Sequence, residues 1–178
     1  IKFFKNKKIN ILDIGTGSGC ILLSILKELS SSRGVGIDIS PRAVKIAKKN
    51  SQKLSLSYRA RFKVFDINKF DINKYDLIVS NPPYIPSRDI KNLSKDIINY
   101  EPLIALNGGH DGLCLIKKVI YKASSLLKRN GLLAIEIGHG QYRKVTNLLN
   151  SHGFKETCKE YDNNRNVRCI ISTKIKFL

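Results

Sequence analysis

"DIGTGSG", residues 13–19, is the stretch on which the fold turns. It follows the apolar run "INILDIG" and opens the amphipathic run "CILLSILKEL", so it reads as the turn between a strand and a helix. Glycines at 15, 17 and 19 let backbone approach a ligand closely at a helix N-terminus, where free amides favour polar or anionic groups. The next apolar run, "GVGIDI", carries Asp38 at its end, about 20 residues beyond the loop, where a ribose-binding carboxylate belongs in a nucleotide-binding α/β fold.

Outward from that motif the same alternation continues. "PRAVKIAKKNSQKL" reads as a helix with Pro41 in its first turn, "ARFKVFD" and "KYDLIVS" as strands, and "GLCLIKKVIYKASSLLKRNG" as a long helix closed by Gly131. "LLAIEIG" is a further strand, "QYRKVTNLLNSHG" a helix closed by Gly153, and "FKETCKEY" with "VRCIISTKI" a terminal antiparallel pair. Strands apolar on both faces and separated by helices predict an α/β fold: a mostly parallel seven-stranded sheet with helices on both faces and an antiparallel pair at its C-terminal end. The segment from Pro82 to about Gly112 is long for a connection in a compact domain, which makes it a functional candidate.

Composition sets the outer limits. The 178 residues, 42% hydrophobic and 26% charged, suit one domain spanning 1–178 with a real core, and exclude a disordered chain. The chain begins at Ile1 and contains no Met, so it is expected to be a fragment of a longer protein. Cys20, Cys114, Cys158 and Cys169 have neither disulfide-framework nor metal-ligand spacing, so no metal site is expected. Without a signal pattern or an apolar run of about 18 residues, the expected compartment is the cytoplasm and no membrane partner is expected. The formal net charge of +18 has two open readings, a face for phosphate-bearing partners or the Lys, Ile and Asn usage of low-GC coding. Oligomeric state is not legible.

The ligand can be narrowed from its neighbours. The loop is G-x-G-x-G, not G-x-G-x-x-G, and it lacks the Lys-Ser/Thr of a P-loop, so dinucleotides and ATP fit less well. Asp13 can face a cationic group, and a ligand carrying both ribose and ammonium is S-adenosylmethionine, whose demethylated product is S-adenosylhomocysteine. Asp66, in "VFDIN", is then placed to accept from the adenine amine, with Ile39 and Ile67 as apolar walls; an Asp there also reads as a plain strand-end cap. "SNPPYIP", residues 80–86, ends the strand expected beside the first. There Asn81 offers a side-chain carbonyl and Pro82 a backbone carbonyl, two acceptors for the two hydrogens of an –NH₂ group. Such a grip aligns the nitrogen lone pair with a sulfonium methyl. Pro83 stiffens the corner, and Tyr84 presents a flat face to a planar amide or base. His139 and Glu136 read as loop and strand-end residues, and Glu101 and Asp111 either brace Asn81 or are solvated.

Taken together, "LDIGTGSGCILLSIL", "GIDISPRAVKIAKKN", "FDINKYDLIVSNPPYIP", "YEPLIALNGGHDGL" and "LLAIEIGHGQ" resemble the HemK-type protein-glutamine methyltransferases over nearly the whole chain. That resemblance implies a Rossmann-like S-adenosylmethionine-dependent methyltransferase fold and transfer of a methyl group to the side-chain amide of the glutamine in the Gly-Gly-Gln motif of peptide-chain release factors. It implies that Asp13, Gly15, Thr16, Gly17, Gly19, Asp38, Ile39, Asp66, Ile67 and Asn81 bind the cofactor. Asn81, Pro82, Pro83 and Tyr84 would hold the glutamine, with Asn81, Pro82 and Tyr84 catalytic. Two departures stand out: the family's N-terminal helical domain and Pro- and Glu-containing segment lie outside these residues, and "DNNRNVRCI" differs from the family's Gly-Arg-Asp-Arg pattern. NPPY alone is shared with nucleic-acid exocyclic-amine methyltransferases, so an RNA or DNA substrate stays open, as does an inactive cofactor-binding module; nucleic acid is a possible partner that the chemistry does not require.

Overall fold

The computed structural model describes residues 2–5 and 7–175. In chain order its elements are β1 (Asn10–Ile14), α1 (Cys20–Glu28), β2 (Arg33–Asp38), α2 (Pro41–Lys53), β3 (Ala60–Val64) and β4 (Tyr75–Ser80). There follow α3 (Lys95–Tyr100), α4 (Leu103–Leu106), α5 (Cys114–Leu126), β5 (Leu127–Glu136), α6 (Tyr142–Ser151), β6 (Phe154–Tyr161) and β7 (Val167–Lys174). One sheet runs β3-β2-β1-β4-β5-β7-β6. The first five strands in that order are parallel, and β7 pairs antiparallel with both β5 and β6, as the sequence pattern predicts.

Alternate side chains of each strand feed two cores, because successive residues point to opposite faces. Ile11, Leu77 and Val79 pack with Leu22 and Leu26 of α1 and Val44 and Ala47 of α2. Leu12, Ile78 and Ile135 pack on the other face with Ile116 and Ile120 of α5 and Val145 and Leu149 of α6. Helix ends follow local rules. Pro41 stands in the first turn of α2, where the Ser40 hydroxyl accepts from the Ala43 amide at 3.2 Å. Gly153, at φ 78°, ends α6. The buried Arg59 guanidinium donates to the carbonyls of Leu26, Leu29 and Ser32, satisfying the C-terminal end of α1.

The expected long helix ends earlier than its periodicity suggests. It stops at Leu126, and residues 127–131 join β5. Leu127 is 1% exposed and pairs with Tyr75, so tertiary burial overrides the helical pattern at this point. Gly131 therefore sits in a strand irregularity beside the left-handed Asn130, where a Cβ would stand 2.9 Å from the Lys128 carbonyl. It is not a helix cap. The connection from Pro82 to Gly112 also has structure of its own, holding a 3₁₀ turn at Ser87–Asn92 as well as α3 and α4.

Candidate active site

Register brings the two motifs together. Ile14 pairs with both Ile37 and Ser80, so the chain leaves β1, β2 and β4 at one level, with the glycine loop and the Asn81 corner side by side. Between β1 and β4 the strand order reverses, which is where an open α/β sheet forms its ligand crevice. The buried Ser80 hydroxyl donates to the Ile14 carbonyl at 2.8 Å, tying the two exits together. Gly15, Gly17, Ile21, Asn81, Tyr84, Glu101 and Leu106 contribute to a cleft of about 400 Å³ there.

The glycine loop is held from beneath. Asp13 is 1% exposed, and its Oδ2 accepts from the Thr16 hydroxyl at 2.6 Å. Its Oδ1 is buried and has no hydrogen-bond partner among the described residues. Burial pushes the Asp13 carboxyl up to about 6, against the pull of the Thr16 hydroxyl and of the Leu22 amide near the start of α1, and the Asp38 charge adds to the rise. The Gly17 amide donates to Asp38 Oδ2 and the Ser40 amide to Asp38 Oδ1, each at 2.9 Å, so Asp38 links the loop to the start of α2. At Gly17, φ is 57° and no atom stands within 4 Å of a built Cβ, so its backbone faces open space. At Gly19 the constraint is packing instead, since a Cβ would lie 2.9 Å from the Phe62 ring.

The neighbouring strand end carries the other predicted contacts. The Phe65 amide donates to the Asp38 carbonyl, which sets Asp66 beside the end of β2. Asp66 caps the 3₁₀ turn Ile67–Lys69 by accepting from the Asn68 amide and side chain on Oδ1, the capping role that its sequence position also allowed. Ile39 is 58% exposed and open to a ligand, whereas Ile67 is 9% exposed and packs in the core.

At the corner, the Asn81 side chain is exposed, Pro82 is buried, and Pro83 and Tyr84 are half-buried. Neither the Asn81 side chain nor the Pro82 carbonyl accepts or donates a hydrogen bond among the described residues, so both acceptors are unspent. The long connection folds back over this corner. Ile85 bridges to Asn107, the Gly108 amide donates to the Ile85 carbonyl at 2.8 Å, and Asn107 Oδ1 accepts from Ser87 and from the Gly109 amide. Glu101 lines the cleft, while Asp111 pairs with Lys117 and accepts from the Leu113 amide, so it steadies the start of α5 and does not reach Asn81. His139 is exposed.

Two residues that sequence reasoning did not single out hold the corner. Gln141 is 7% exposed; its Nε2 donates to the carbonyls of Tyr84 and Gly112, and its Oε1 accepts from the Gly138 amide. Arg168 donates to the Tyr84 hydroxyl at 2.9 Å. Gln141 stood in the quoted "EIGHGQ", but its partners Tyr84 and Gly112 lie 57 and 29 residues away, so only the fold reveals its role at the corner.

A second cleft, of about 390 Å³, opens at the amino ends of the strands between Arg33, Arg59, Arg61, Lys74 and Tyr58. It lies away from the glycine loop and from the carboxyl ends where such sheets bind ligands. Among the described residues no group of three or more potential metal ligands occurs, and no helix is long and apolar enough to cross a membrane.

Comparison with known proteins gives the family and the fold. Residues 5–176 match the family described as a methyltransferase domain. A release factor glutamine methyltransferase of Rhodospirillum rubrum is 43% identical over 164 residues, covering 92% of this chain and 50% of that protein. One from Thermodesulfovibrio yellowstonii is 42% identical, covering 86% of this chain and 55% of that protein. The chain thus spans about half the length of these curated relatives. Among solved structures, the ribosomal protein L11 methylase of Lactobacillus delbrueckii subsp. bulgaricus superposes with a TM-score of 0.69 at 22% identity, covering 97% of this chain and 74% of that one. That likeness concerns the fold.

Proposed function

The chain belongs to the methyltransferase-domain family, and on that premise we propose that it is the S-adenosylmethionine-dependent catalytic domain that methylates the glutamine side-chain amide in the Gly-Gly-Gln motif of peptide-chain release factors. The observation that carries this reading is the unspent pair of acceptors, Asn81 and the Pro82 carbonyl, at the strand exit beside the glycine loop.

The residues fit the cofactor. The orphaned Asp13 Oδ1 suits an ammonium group, the open backbone face at Gly15 and Gly17 suits the amino-acid end, and the remaining acceptor capacity of Asp38 suits ribose hydroxyls. Exposed Ile39 offers an apolar wall and Asp66 Oδ2 a free acceptor for the adenine amine. When bound, S-adenosylmethionine supplies an electrophilic methyl group. Asn81 and the Pro82 carbonyl accept the two amide hydrogens, which keeps electron density on nitrogen and turns its lone pair toward that methyl. Tyr84 presents its ring to the planar amide, and Glu101, Ala105 and Leu106 line the cleft beside it. No imidazole is needed, in keeping with the exposed position of His139. The excess proton on nitrogen leaves to solvent after transfer. Release factors are thereby the protein partner, and the cytoplasm, where translation ends, is the compartment.

A radiolabelled methyl-transfer assay against release factor, tRNA, rRNA and DNA side by side tests the reading. Label is expected in release factor and lost when the Gly-Gly-Gln glutamine is replaced. Label in a nucleic acid alone would overturn it.

A further inference from the structure

The corner tyrosine is gripped from the far end of the chain. Arg168, on β7, stands 84 residues from Tyr84 in sequence, yet its Nη2 donates to the Tyr84 hydroxyl at 2.9 Å and its guanidinium carbon lies 5.2 Å from the ring centroid. β7 reaches this point because it pairs with β5, and the Ile137 amide donates to the Arg168 carbonyl at 3.0 Å where β5 exits the sheet. Two carboxylates hold the guanidinium in turn: Glu136 Oε1 lies 3.9 Å from Nη2, and Asp162 Oδ2 lies 3.9 Å from Nε. Asp162 is fixed as an anion by the hairpin itself, since the Asn166 and Asn164 amides donate to Oδ1 at 2.9 Å and hold its carboxyl below the usual carboxylate range. The "DNNRNVRCI" segment, which departs from the family pattern, thus builds a brace.

Tyr84 is committed by these contacts. Its hydroxyl accepts from Arg168 and donates to Glu136 at 3.3 Å, so both of its hydrogen-bonding roles are taken. A Cβ on Gly138 would stand 3.0 Å from Tyr84 Cδ2, so the ring edge rests against backbone there. With the hydroxyl engaged and the guanidinium over the ring, Tyr84 packs against the core and still lines the cleft beside Asn81, where a planar group would meet it. We propose that Arg168 is a positioning residue for the substrate corner: it fixes the Tyr84 ring so that the part lining the cleft aligns the accepting amide. The proposal rests on the functional reading above and concerns alignment of the protein substrate, not cofactor binding.

The test joins a spectroscopic and a kinetic readout on the same chain. With ¹³C-labelled tyrosine, the Tyr84 ring resonance is assigned by its loss in Tyr84→Phe and followed in Arg168→Ala and Arg168→Lys. The expected result is a displaced Tyr84 resonance in Arg168→Ala, a fall in kcat/KM for release factor of about tenfold, and an S-adenosylmethionine Kd within about twofold of the unmodified chain. Arg168→Lys recovers only part, because an ammonium keeps the charge and loses the planar stacking. Melting curves establish that each variant is folded; if Arg168→Ala is not, Arg168→Gln, which keeps a planar donor without the charge, takes its place in both readouts. An unmoved Tyr84 resonance, or transfer unchanged by the substitution, overturns the proposal. Absence of transfer by the unmodified chain would instead overturn the functional reading, and the resonance would still decide whether Arg168 holds Tyr84.

Discussion

Burial puts an unusual demand on Asp13. Its carboxyl is raised from 3.8 to about 6, so the folded chain binds a proton more tightly than the unfolded one between those values, and stability falls as pH rises through that window. At about 1.4 kcal/mol per pH unit, ionised Asp13 costs the folded state on the order of 3 kcal/mol above pH 6. Asp13→Asn keeps an acceptor for Thr16, so it should raise the melting temperature at pH 7.5, with the gain vanishing toward pH 4. A uniform loss at every pH would refute this. If Oδ1 receives the cofactor's ammonium, S-adenosylmethionine affinity of the unmodified chain should also tighten as pH rises through about 6, and calorimetry from pH 5 to 8 would register a flat profile as a contradiction. Asp38→Ala should weaken cofactor binding by about 2 kcal/mol or more, since it removes a charged acceptor and frees the Gly17 and Ser40 amides. An unchanged calorimetric Kd would take Asp38 out of the site. At this scale the sequence offers candidates where a role depends on near neighbours: the glycines, Asp38 and Asn81 are singled out by standing directly after apolar runs that read as strands. Gln141 and Arg168 were not, because their partners meet them only after the sheet has formed.

The elements themselves were largely legible, since each strand and its following helix carry their own period. The exception was the α5–β5 junction, where a helical pattern runs into residues that the sheet claims through Leu127. The roof over the corner was visible only as an over-long connection. Its order comes from the Ile85–Asn107 bridge and from Gln141, which ties Tyr84 to Gly112, and at Gly112 φ is 72° and a Cβ would lie 2.4 Å from the Tyr84 carbonyl. Gln141→Ala should therefore loosen the roof more than the fold. Amide exchange between residues 101 and 112 is expected to quicken by about tenfold, the loss of hydrogen bonds worth about 1–2 kcal/mol, while exchange in β1 and β4 stays slow. Equal quickening in both would show that Gln141 serves the fold as a whole.

Over the whole molecule, two clefts of similar size face opposite ends of one sheet, and their linings differ in kind. The cleft at the carboxyl ends is made of loop backbone, amide and aromatic surface; the one at the amino ends carries the exposed cations Arg33, Arg61 and Lys74. With a net charge of +18, the chain should hold tRNA through such cations without methylating it. The affinity is then expected to fall steeply, by an order of magnitude or more, between about 50 and 200 mM salt. Methyl accepted by tRNA would contradict this assignment of the two ends. Composition revealed the charge but not its placement, because which cations converge depends on strand order. The central claim is that the Asn81 corner serves alignment of the amide far more than cofactor affinity, and the most direct measurement is the rate of methyl transfer to release factor by Asn81→Ala at saturating S-adenosylmethionine, with cofactor affinity determined on the same sample. A loss of about 100-fold or more in rate with affinity changed by no more than a few-fold is the predicted result, and near-normal turnover by Asn81→Ala would contradict it.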